Sequence, residues 1–420
     1  MTLTVHPGFL RGDIASPPSK SYFQRALVAA LLAEGKTLIY NAGNSRDETD
    51  MLLLISKLGA TVLQKGNHTE VHGGLKVPAS NIVIGESGLG SRLIMPVLAL
   101  GEQAVTLSGK GSLLNRPMTP IADIIHSLGG VCRLRQGKLP VTIQGPIGGG
   151  QIEIDGSVSS QFLSGLLFAL PTRKENSVIS VSNLKSRSYV DMTLSVLRNF
   201  SIEITHQAYS KFFIPGNQQY QPTTYTVEGD WSNAAFLMVA AAINGELTIH
   251  GLNPESIQGD RKIIEALLDS GVSVSQEADY YRIEKTDNLK AFDFNATDMP
   301  DLFPPLACLA AYCQGTSRIK GAHRLVHKES NRAKSLTREF KRMGIEVGLE
   351  DDDTMVIQGA QPQGGSFHTH NDHRIAMAGA VLALRAQRSI QIEQPEAVQK
   401  SYPGFYDALK SLGARLDDGS

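Results

Sequence analysis

The sequence predicts an α/β protein with helices inside and sheets outside, and three observations lead to this fold class. Six apolar, β-rich runs recur along the 420 residues, at a period of about 70. A segment rich in Ala, Leu, Val and Met precedes each run and is apolar nearly all round, which is typical of a buried helix. A second helical segment after each run mixes charged and apolar positions, as a solvent-facing helix does. Each repeat is therefore a βαβαβ-type unit with one inner and one outer helix.

The elements of the six units follow one another in a regular order. The strands are predicted at 37–41, 104–108, 177–181, 247–250, 317–320 and 389–392. The inner helices are predicted at 25–33, 92–100, 161–170, 233–243, 302–312 and 374–384. The outer helices, such as 51–58 and 335–343, end near Gly59, Gly129, Ser201, Gly271, Gly344 and Gly413.

A change of composition near the middle of the chain favours two domains of three units. Gly229-Asp-Trp-Ser232 follows a stretch at 213–225 that is rich in Pro and Tyr. The N-terminal strand at 2–9 fits either half, because it precedes the first inner helix and belongs to no complete unit.

Composition limits the partners and the compartment. Forty Lys plus Arg against 41 Asp plus Glu give a net charge of −1, which argues against a nucleic-acid coat or a polybasic membrane-surface protein. Cys132, Cys308 and Cys313 form no CxxC pair, as expected in a reducing compartment. No signal peptide and no apolar run of roughly 18 residues is present. We therefore expect a soluble cytoplasmic protein that binds neither nucleic acid nor membrane.

Cations occur at the starts of the apolar helices, where the N–H groups of a helix attract anions. Lys20, Arg25, Arg92 and Arg374 lie there. A buried cation without a partner costs about 3–5 kcal/mol, so each needs a carboxylate or an anionic ligand. The loops between strands and outer helices add Arg116, Lys328, Arg332 and Lys400. We expect these eight cations around one site, with few carboxylates nearby; Glu329, between two of them, suits acid–base chemistry.

Taken in order, these motifs resemble the 3-phosphoshikimate 1-carboxyvinyltransferase (EPSP synthase) family. The resemblance runs from about residue 15 to residue 410 and rests on 18–21 with Arg25, Gly88 with Arg92, 115–117, 156–161, 188–191, 227–230, 328–332, 371–374 and 400–403. It implies the enolpyruvyl transferase fold, with two inside-out α/β domains of three βαβαββ repeats each. It places residues 18–228 in one domain, 1–17 with 229–420 in the other, and the active site in the cleft between them.

The resemblance also implies an activity. The family transfers the enolpyruvyl group of phosphoenolpyruvate to the 5-hydroxyl of shikimate 3-phosphate, through a tetrahedral intermediate, in chorismate and aromatic amino acid biosynthesis. The implied partners are these two small molecules alone, the implied protein is a monomer, and no metal or organic cofactor is needed.

Site residues carry over position by position. The resemblance assigns shikimate 3-phosphate binding to Lys20, Ser21, Arg25, Ser159, Ser160, Ser186, Asp301, Arg324 and Lys328. It assigns phosphoenolpyruvate binding to Lys20, Gly88, Arg116, Gln161, Arg332, Arg374 and Lys400. Asp301 is the expected base and Glu329 the expected acid, with Lys20 as its competitor or partner. Glu86 departs from the pattern, since it stands where the family usually has Asn.

Two alternatives remain beside this interpretation. The related UDP-N-acetylglucosamine enolpyruvyl transferases share the fold, but their cysteine-bearing loop is replaced here by Leu113-Leu-Asn-Arg-Pro117. A non-catalytic anion-binding relative is the second alternative. The presence of Lys20, Asp301, Glu329 and Arg374 together argues against it.

Overall fold

A computed structural model describes residues 2–157 and 159–419 of the chain. The chain forms two compact units. We call Pro18–Val227 the continuous unit, and Met1–Pro17 with Glu228–Ser420 the discontinuous unit.

The chain begins with two strands of the discontinuous unit, β1 (Thr2–Val5) and β2 (Leu10–Ala15), and then builds the continuous unit. The elements of the continuous unit are α1 (Lys20–Leu32), β3 (Gly35–Tyr40), α2 (Arg46–Lys57), β4 (Thr61–Lys65), β5 (His68–Gly73), β6 (Asn81–Val83), α3 (Gly88–Leu98), β7 (Val105–Ser108), α4 (Thr119–Ser127), β8 (Val131–Arg135), β9 (Lys138–Gln144), β10 (Gln151–Asp155), α5 (Ser160–Ala169), β11 (Ser177–Ser182), α6 (Arg187–Asn199), β12 (Thr205–Gln207), β13 (Lys211–Ile214) and β14 (Thr224–Thr226).

The remaining elements complete the discontinuous unit. They are α7 (Trp231–Asn244), β15 (Gly245–His250), α8 (Ile263–Asp269), β16 (Val274–Gln276), β17 (Tyr280–Glu284), β18 (Asp293–Asn295), α9 (Phe303–Ala311), β19 (Thr316–Lys320), α10 (Arg332–Arg342), β20 (Glu346–Glu350), β21 (Thr354–Gln358), β22 (Gly365–His368), α11 (His373–Ala383), β23 (Ile390–Glu393), α12 (Phe405–Ser411) and β24 (Leu416–Gly419). Short 3₁₀ turns lie at Gly111–Asn115, Leu170–Thr172, Gly259–Lys262, Pro300–Leu302, Ala322–Leu325 and Pro395–Lys400.

Each unit contains three four-stranded sheets with one pairing pattern, in which a parallel pair of strands is extended by antiparallel partners. The orders are β14-β3-β5-β4, β6-β7-β9-β8 and β10-β11-β13-β12 in the continuous unit, and β16-β17-β15-β2, β18-β19-β21-β20 and β22-β23-β1-β24 in the discontinuous unit. Strand β2 pairs in parallel with β15, with Leu10 opposite Gly245, and β1 lies antiparallel between β23 and β24. The N-terminal strands therefore complete two sheets of the discontinuous unit.

In the continuous unit the inner helix α3 packs on both α1 and α5, and in the discontinuous unit α7, α9 and α11 pack on one another. Nearly every residue of these six helices is buried, including all nine of α9. Their many alanines, such as Ala240, Ala241 and Ala242 of α7, let the helices approach closely. The prediction of helices inside and sheets outside is confirmed.

Five of the six inner helices begin earlier than the apolar pattern indicates, and α9 begins one residue later, at Phe303. Helix α1 begins at Lys20, because the side chain of Ser19 accepts a hydrogen bond from the N–H of Tyr22. Helix α3 begins at Gly88 and is capped in the same way by Ser87. Lys20 consequently belongs to the first turn of α1, while Arg25 and Arg92 lie in the second turns of α1 and α3. Within 2–157 and 159–419, no helix has the length and apolar character needed to cross a membrane.

Candidate active site

Lys20 forms an ion pair at the start of the continuous unit. Its Nζ lies 2.9 Å from Oδ2 of Asp47, a buried residue in the first turn of α2. Acidic residues are common in the first turn of a helix, where they interact with the unpaired N–H groups. Sequence reasoning missed Asp47 for this reason, since its pattern indicates only an ordinary helix start.

Arg25 is fully buried and is held by neutral oxygen atoms. Its Nε donates to Oγ1 of Thr193 at 2.9 Å, Nη1 to the carbonyl of Ser21 at 2.8 Å, and Nη2 to the carbonyl of Tyr189 at 3.0 Å. No carboxylate of the described residues pairs with it, and burial lowers the pKa of Arg25 to about 10. Arg25 therefore joins α1 to α6 and keeps a positive charge that no carboxylate neutralises.

A second cationic group gathers around Gly88. Nη1 of Arg92 donates to Oε1 of Gln161 at 2.8 Å, and its guanidinium lies over the ring of Phe162. A Cβ added at Gly88 would collide with Nη1 of Arg116. The structure thus brings together Gly88, Arg116 and Gln161, three of the residues expected to bind phosphoenolpyruvate. It also explains why glycine occupies position 88, because only glycine leaves room for the guanidinium of Arg116.

Glu86 holds the turn that leads to Arg116. Its Oε2 accepts a hydrogen bond of 3.3 Å from the N–H of Ser112. Gly111 has a φ of +50°, and a Cβ there would strike the carboxylate of Glu86. The residue that departs from the family pattern therefore supports the 3₁₀ turn Gly111–Asn115.

The three serines expected to bind phosphate lie at helix starts. Ser159 caps α5 and accepts a hydrogen bond from the N–H of Gln161 at 3.2 Å, and Ser160 is the first residue of that helix. Ser186 is buried, precedes α6 and has a φ of +57°. A non-glycine residue in this left-handed region costs about 1–2 kcal/mol. Such strain is often found at ligand-binding positions.

Arg332 is the centre of the site residues in the discontinuous unit. Its buried guanidinium donates from Nη1 to Asp301 at 2.7 Å, from Nη2 to Glu329 at 2.6 Å and from Nε to Asp372 at 2.8 Å. We call these four residues the Arg332 cluster. The expectation of few carboxylates near the cations is wrong here. Three carboxylates surround Arg332, because burying a guanidinium and its neighbouring cations without opposite charge would cost free energy.

Asp301 is surrounded by further cations. Oδ2 accepts from Nη2 of Arg374 at 3.2 Å, and Oδ1 lies 3.6 Å from Nζ of Lys328. Burial alone would raise the pKa of Asp301, but the charges of Arg374, Lys328 and Arg332 hold this pKa well below its usual range. The predicted base is therefore ionised and only weakly basic in this state.

Lys400 and Arg324 are the remaining cations of the discontinuous unit that were assigned to the site. Nζ of Lys400 lies 4.0 Å from Oε1 of Glu329. Arg324 lies half-buried in the 3₁₀ turn Ala322–Leu325, and burial lowers its pKa. Burial, together with the charges of Arg332 and Arg324, also lowers the pKa of Lys328. Arg324 thus lies close enough to Lys328 for its charge to lower the pKa of that residue.

Glu329, Asp372 and His373 form a group that could be considered for a metal, since their ligand atoms lie within 4.8 Å of one another. Both carboxylates, however, accept hydrogen bonds from Arg332. A metal ion would have to replace these buried ion pairs while the guanidinium charge stays beside it. The site is therefore suited to anions.

The sequence matches the profile of the EPSP synthase (3-phosphoshikimate 1-carboxyvinyltransferase) family over residues 5–409. It is 38% identical to a protein of Clostridium acetobutylicum named 3-phosphoshikimate 1-carboxyvinyltransferase, over 99% of this chain and 98% of that protein. A protein of the same name from Aeropyrum pernix is 36% identical over 99% of this chain and 96% of the relative.

Solved structures agree with the sequence comparison. The EPSP synthase of Acinetobacter baumannii superposes with a TM-score of 0.84 at 26% identity, over 99% of this chain and all of the other. The enolpyruvyl transferase NikO of Streptomyces tendae has a TM-score of 0.80 at 18% identity, over 99% of this chain and 98% of the other, and shows the fold alone. The predicted enolpyruvyl transferase fold is confirmed, and the chain belongs to the EPSP synthase (3-phosphoshikimate 1-carboxyvinyltransferase) family.

Proposed function

We propose that the protein transfers the enolpyruvyl group of phosphoenolpyruvate to the 5-hydroxyl of shikimate 3-phosphate and releases phosphate. The observation that carries this proposal is the Arg332 cluster, in which one buried cation holds Asp301 and Glu329 together. Two carboxylates beside several cations suit a reaction that moves protons on anionic substrates. Membership of the family supports the identity of those substrates.

The cations of the continuous unit suit the anionic groups of these substrates. Arg25 has five N–H donors, of which three are in use, so the remaining two can bind a phosphate oxygen beside Ser21. Arg116 and Gln161, next to Gly88, are assigned to phosphoenolpyruvate. The assigned ligands of shikimate 3-phosphate also include Lys20, Ser159, Ser160, Ser186, Asp301, Arg324 and Lys328, and those of phosphoenolpyruvate Lys20, Arg332, Arg374 and Lys400.

Substrate binding would activate the base. Asp301 is weakly basic while Arg332 and Arg374 neutralise it. When the anionic groups of phosphoenolpyruvate take up part of these cations' charge, the pKa of Asp301 rises. The carboxylate can then accept the proton of the 5-hydroxyl while the 5-hydroxyl oxygen attacks C2 of phosphoenolpyruvate. Glu329, in its protonated form, donates a proton to C3, with Lys20 as competitor or partner. When phosphate leaves, C3 returns this proton to Glu329, and the departing phosphate takes the proton that Asp301 accepted.

The reaction can be tested by mixing the purified protein with both substrates and measuring phosphate release. We expect release only when phosphoenolpyruvate and shikimate 3-phosphate are both present. Release with UDP-N-acetylglucosamine in place of shikimate 3-phosphate would favour the related transferase. Binding of both substrates without any turnover would instead indicate a non-catalytic relative.

Replacing Gly88 by alanine is expected to weaken phosphoenolpyruvate binding without unfolding the protein. The new Cβ would collide with the flexible end of Arg116 and lie 3.3 Å from Nη1 of Arg92, so side-chain ends move while the helix start remains. Because a hydrogen bond to a charged group is worth about 1.5–3 kcal/mol, the KM for phosphoenolpyruvate should rise by about tenfold or more. Steady-state kinetics measures this change.

Gly348→Ala is the matched control for Gly88→Ala, since its added Cβ meets no atom within 4 Å. This variant should keep the wild-type KM for both substrates. An unchanged KM for phosphoenolpyruvate in Gly88→Ala would remove Arg116 from the proposed binding site.

We also propose that the enzyme acts as a monomer in the cytoplasm. Its three cysteines, Cys132, Cys308 and Cys313, are free and buried, which suits a reducing compartment.

A further inference from the structure

Asp260 is a buried carboxyl with an incomplete set of hydrogen bonds. It lies in the 3₁₀ turn Gly259–Lys262 and is 3% exposed. Its Oδ2 accepts the hydroxyl of Ser232, in the first turn of α7. Its Oδ1 has no hydrogen-bond partner among the described residues. A buried carboxylate normally accepts several hydrogen bonds, so this arrangement suits a carboxyl that carries a proton.

A short chain of contacts leads from Asp260 to the proposed base. The carbonyl of Ser232, whose hydroxyl donates to Asp260, accepts from Nη1 of Arg374 at 3.4 Å. Nη2 of the same guanidinium donates to Oδ2 of Asp301 at 3.2 Å. Ser232 therefore lies between the buried carboxyl and a cation assigned to phosphoenolpyruvate.

The charges around Asp260 favour its neutral form. The charged side chains near this turn are Asp230, Asp301 and Arg374 and, in exposed positions on the turn and on α8, Arg261, Lys262, Glu265 and Asp269. Burial, followed by the negative charge of Asp301, raises the pKa of Asp260 to about 7, against the opposing effects of Arg374 and Ser232. Since the same cations keep Asp301 ionised, the proton remains on Asp260.

We propose that Asp260 is a positioning residue of the reaction, which acts through Ser232 and sets how much of the charge of Arg374 is available to phosphoenolpyruvate. This inference rests on the function proposed above. When Asp260 is neutral, the guanidinium of Arg374 interacts with Asp301 and the substrate as negatively charged partners. Ionised Asp260 adds a second carboxylate beside Arg374, which competes with the anionic substrate. Binding of phosphoenolpyruvate should consequently weaken as the pH rises through the pKa of Asp260.

The test compares wild type and Asp260→Asn, a neutral side chain of the same shape, by steady-state kinetics from pH 6 to pH 9. The wild-type KM for phosphoenolpyruvate should rise severalfold across pH 7, whereas the KM of Asp260→Asn should lack this rise. The KM for shikimate 3-phosphate and kcat should change much less. Asp269→Asn, which removes an exposed negative charge from α8, should behave as wild type.

Ser232→Ala gives a second measurement with a predicted direction. The hydroxyl of Ser232 stabilises the ionised form of Asp260. Its removal should therefore move the pH dependence of the KM for phosphoenolpyruvate to higher pH. Should Asp260→Asn fail to fold, this shift decides the question, because an unshifted profile would overturn the proposal.

Trp231, the only tryptophan of the chain, supplies a readout that does not need turnover. It is buried immediately before Ser232, and its backbone N–H donates to the side-chain oxygen of Gln258, in the segment that precedes Asp260. Its fluorescence should titrate near pH 7 in wild type and lose this transition in Asp260→Asn. If wild type shows the titration but no phosphate release, the proposed function fails while the ionisation of Asp260 stands. Identical KM profiles in wild type and Asp260→Asn would overturn the role of Asp260.

Discussion

Replacing Arg332 by methionine is expected to lower the free energy of unfolding by about 3–5 kcal/mol and to remove measurable turnover. Methionine keeps much of the apolar stem but leaves Asp301, Glu329 and Asp372 without the guanidinium that binds all three. Removing one partner of a buried ion pair has a cost of this size, because the remaining charge stays buried. The loss should exceed that of any exposed charge substitution.

The loss of stability can be measured by urea unfolding, with the fluorescence of Trp231 as the signal for the discontinuous unit. Trp231 and Arg332 both belong to the discontinuous unit, so the signal reports that unit even if the two units unfold separately. The control is Lys341→Met, which removes an exposed positive charge from the same helix, α10. We expect a change within about 0.5 kcal/mol for this control. Equal losses in the two variants would contradict the central role of Arg332.

The effect of Arg332→Met should depend on pH with a defined sign. The pKa of Asp301 is held well below its usual range in the folded protein. Such a group stabilises the fold above its unfolded pKa of about 3.9, and this contribution is lost as the pH falls through the folded pKa. The difference between wild type and Arg332→Met should therefore be largest near neutral pH and decrease on strong acidification.

Asp301→Asn is expected to lower kcat by about 10²- to 10⁴-fold while the KM for phosphoenolpyruvate does not rise. General base catalysis contributes an acceleration of this order, and asparagine cannot accept the proton of the 5-hydroxyl. Asparagine also has no negative charge, so Arg332 and Arg374 become more available to the anionic substrate. Single-turnover and steady-state kinetics with both substrates would separate these two effects.

Asp293→Asn, an exposed carboxylate on β18, is the matched control and should leave kcat unchanged. Glu329→Gln tests the proposed acid and should also lower kcat. If Asp301→Asn and Glu329→Gln both kept the wild-type kcat, the assignment of acid and base would be wrong.

The repeated fold was predictable because its signal is local. Six segments that are apolar nearly all round can be stable only in the interior, and the structure places α1, α3, α5, α7, α9 and α11 there. The outer helices end where the sequence indicates, and Gly59, Gly129, Gly271, Gly344 and Gly413 have the positive φ that glycine favours. Helix starts were less predictable, because a serine cap and a polar first turn carry no apolar pattern.

The candidate site was predictable as a set of residue types but not as a set of contacts. Arg332 and Glu329 are close in sequence, so their pairing has a local signal. Asp301 and Asp372 contact the same guanidinium from segments that are distant in the sequence. Asp372 is also the N-cap residue of α11, a position where aspartate is common. Asp260 has no distinguishing pattern around it. Its importance depends on burial beside Ser232, which a sequence without coordinates does not specify.

By itself, the sequence determined the number of repeats, the inner position of six helices and the types of charged residue at their starts. These properties depend on hydrophobic periodicity and on helix ends, which act over a few residues. Only the tertiary structure decided the place of the N-terminal strands and the raised pKa of Asp260. Strand β1 pairs with β23 and β24 near the other end of the chain through backbone hydrogen bonds, which any strand can offer. The pKa of Asp260 depends on burial and on Asp301, and only folding brings these together.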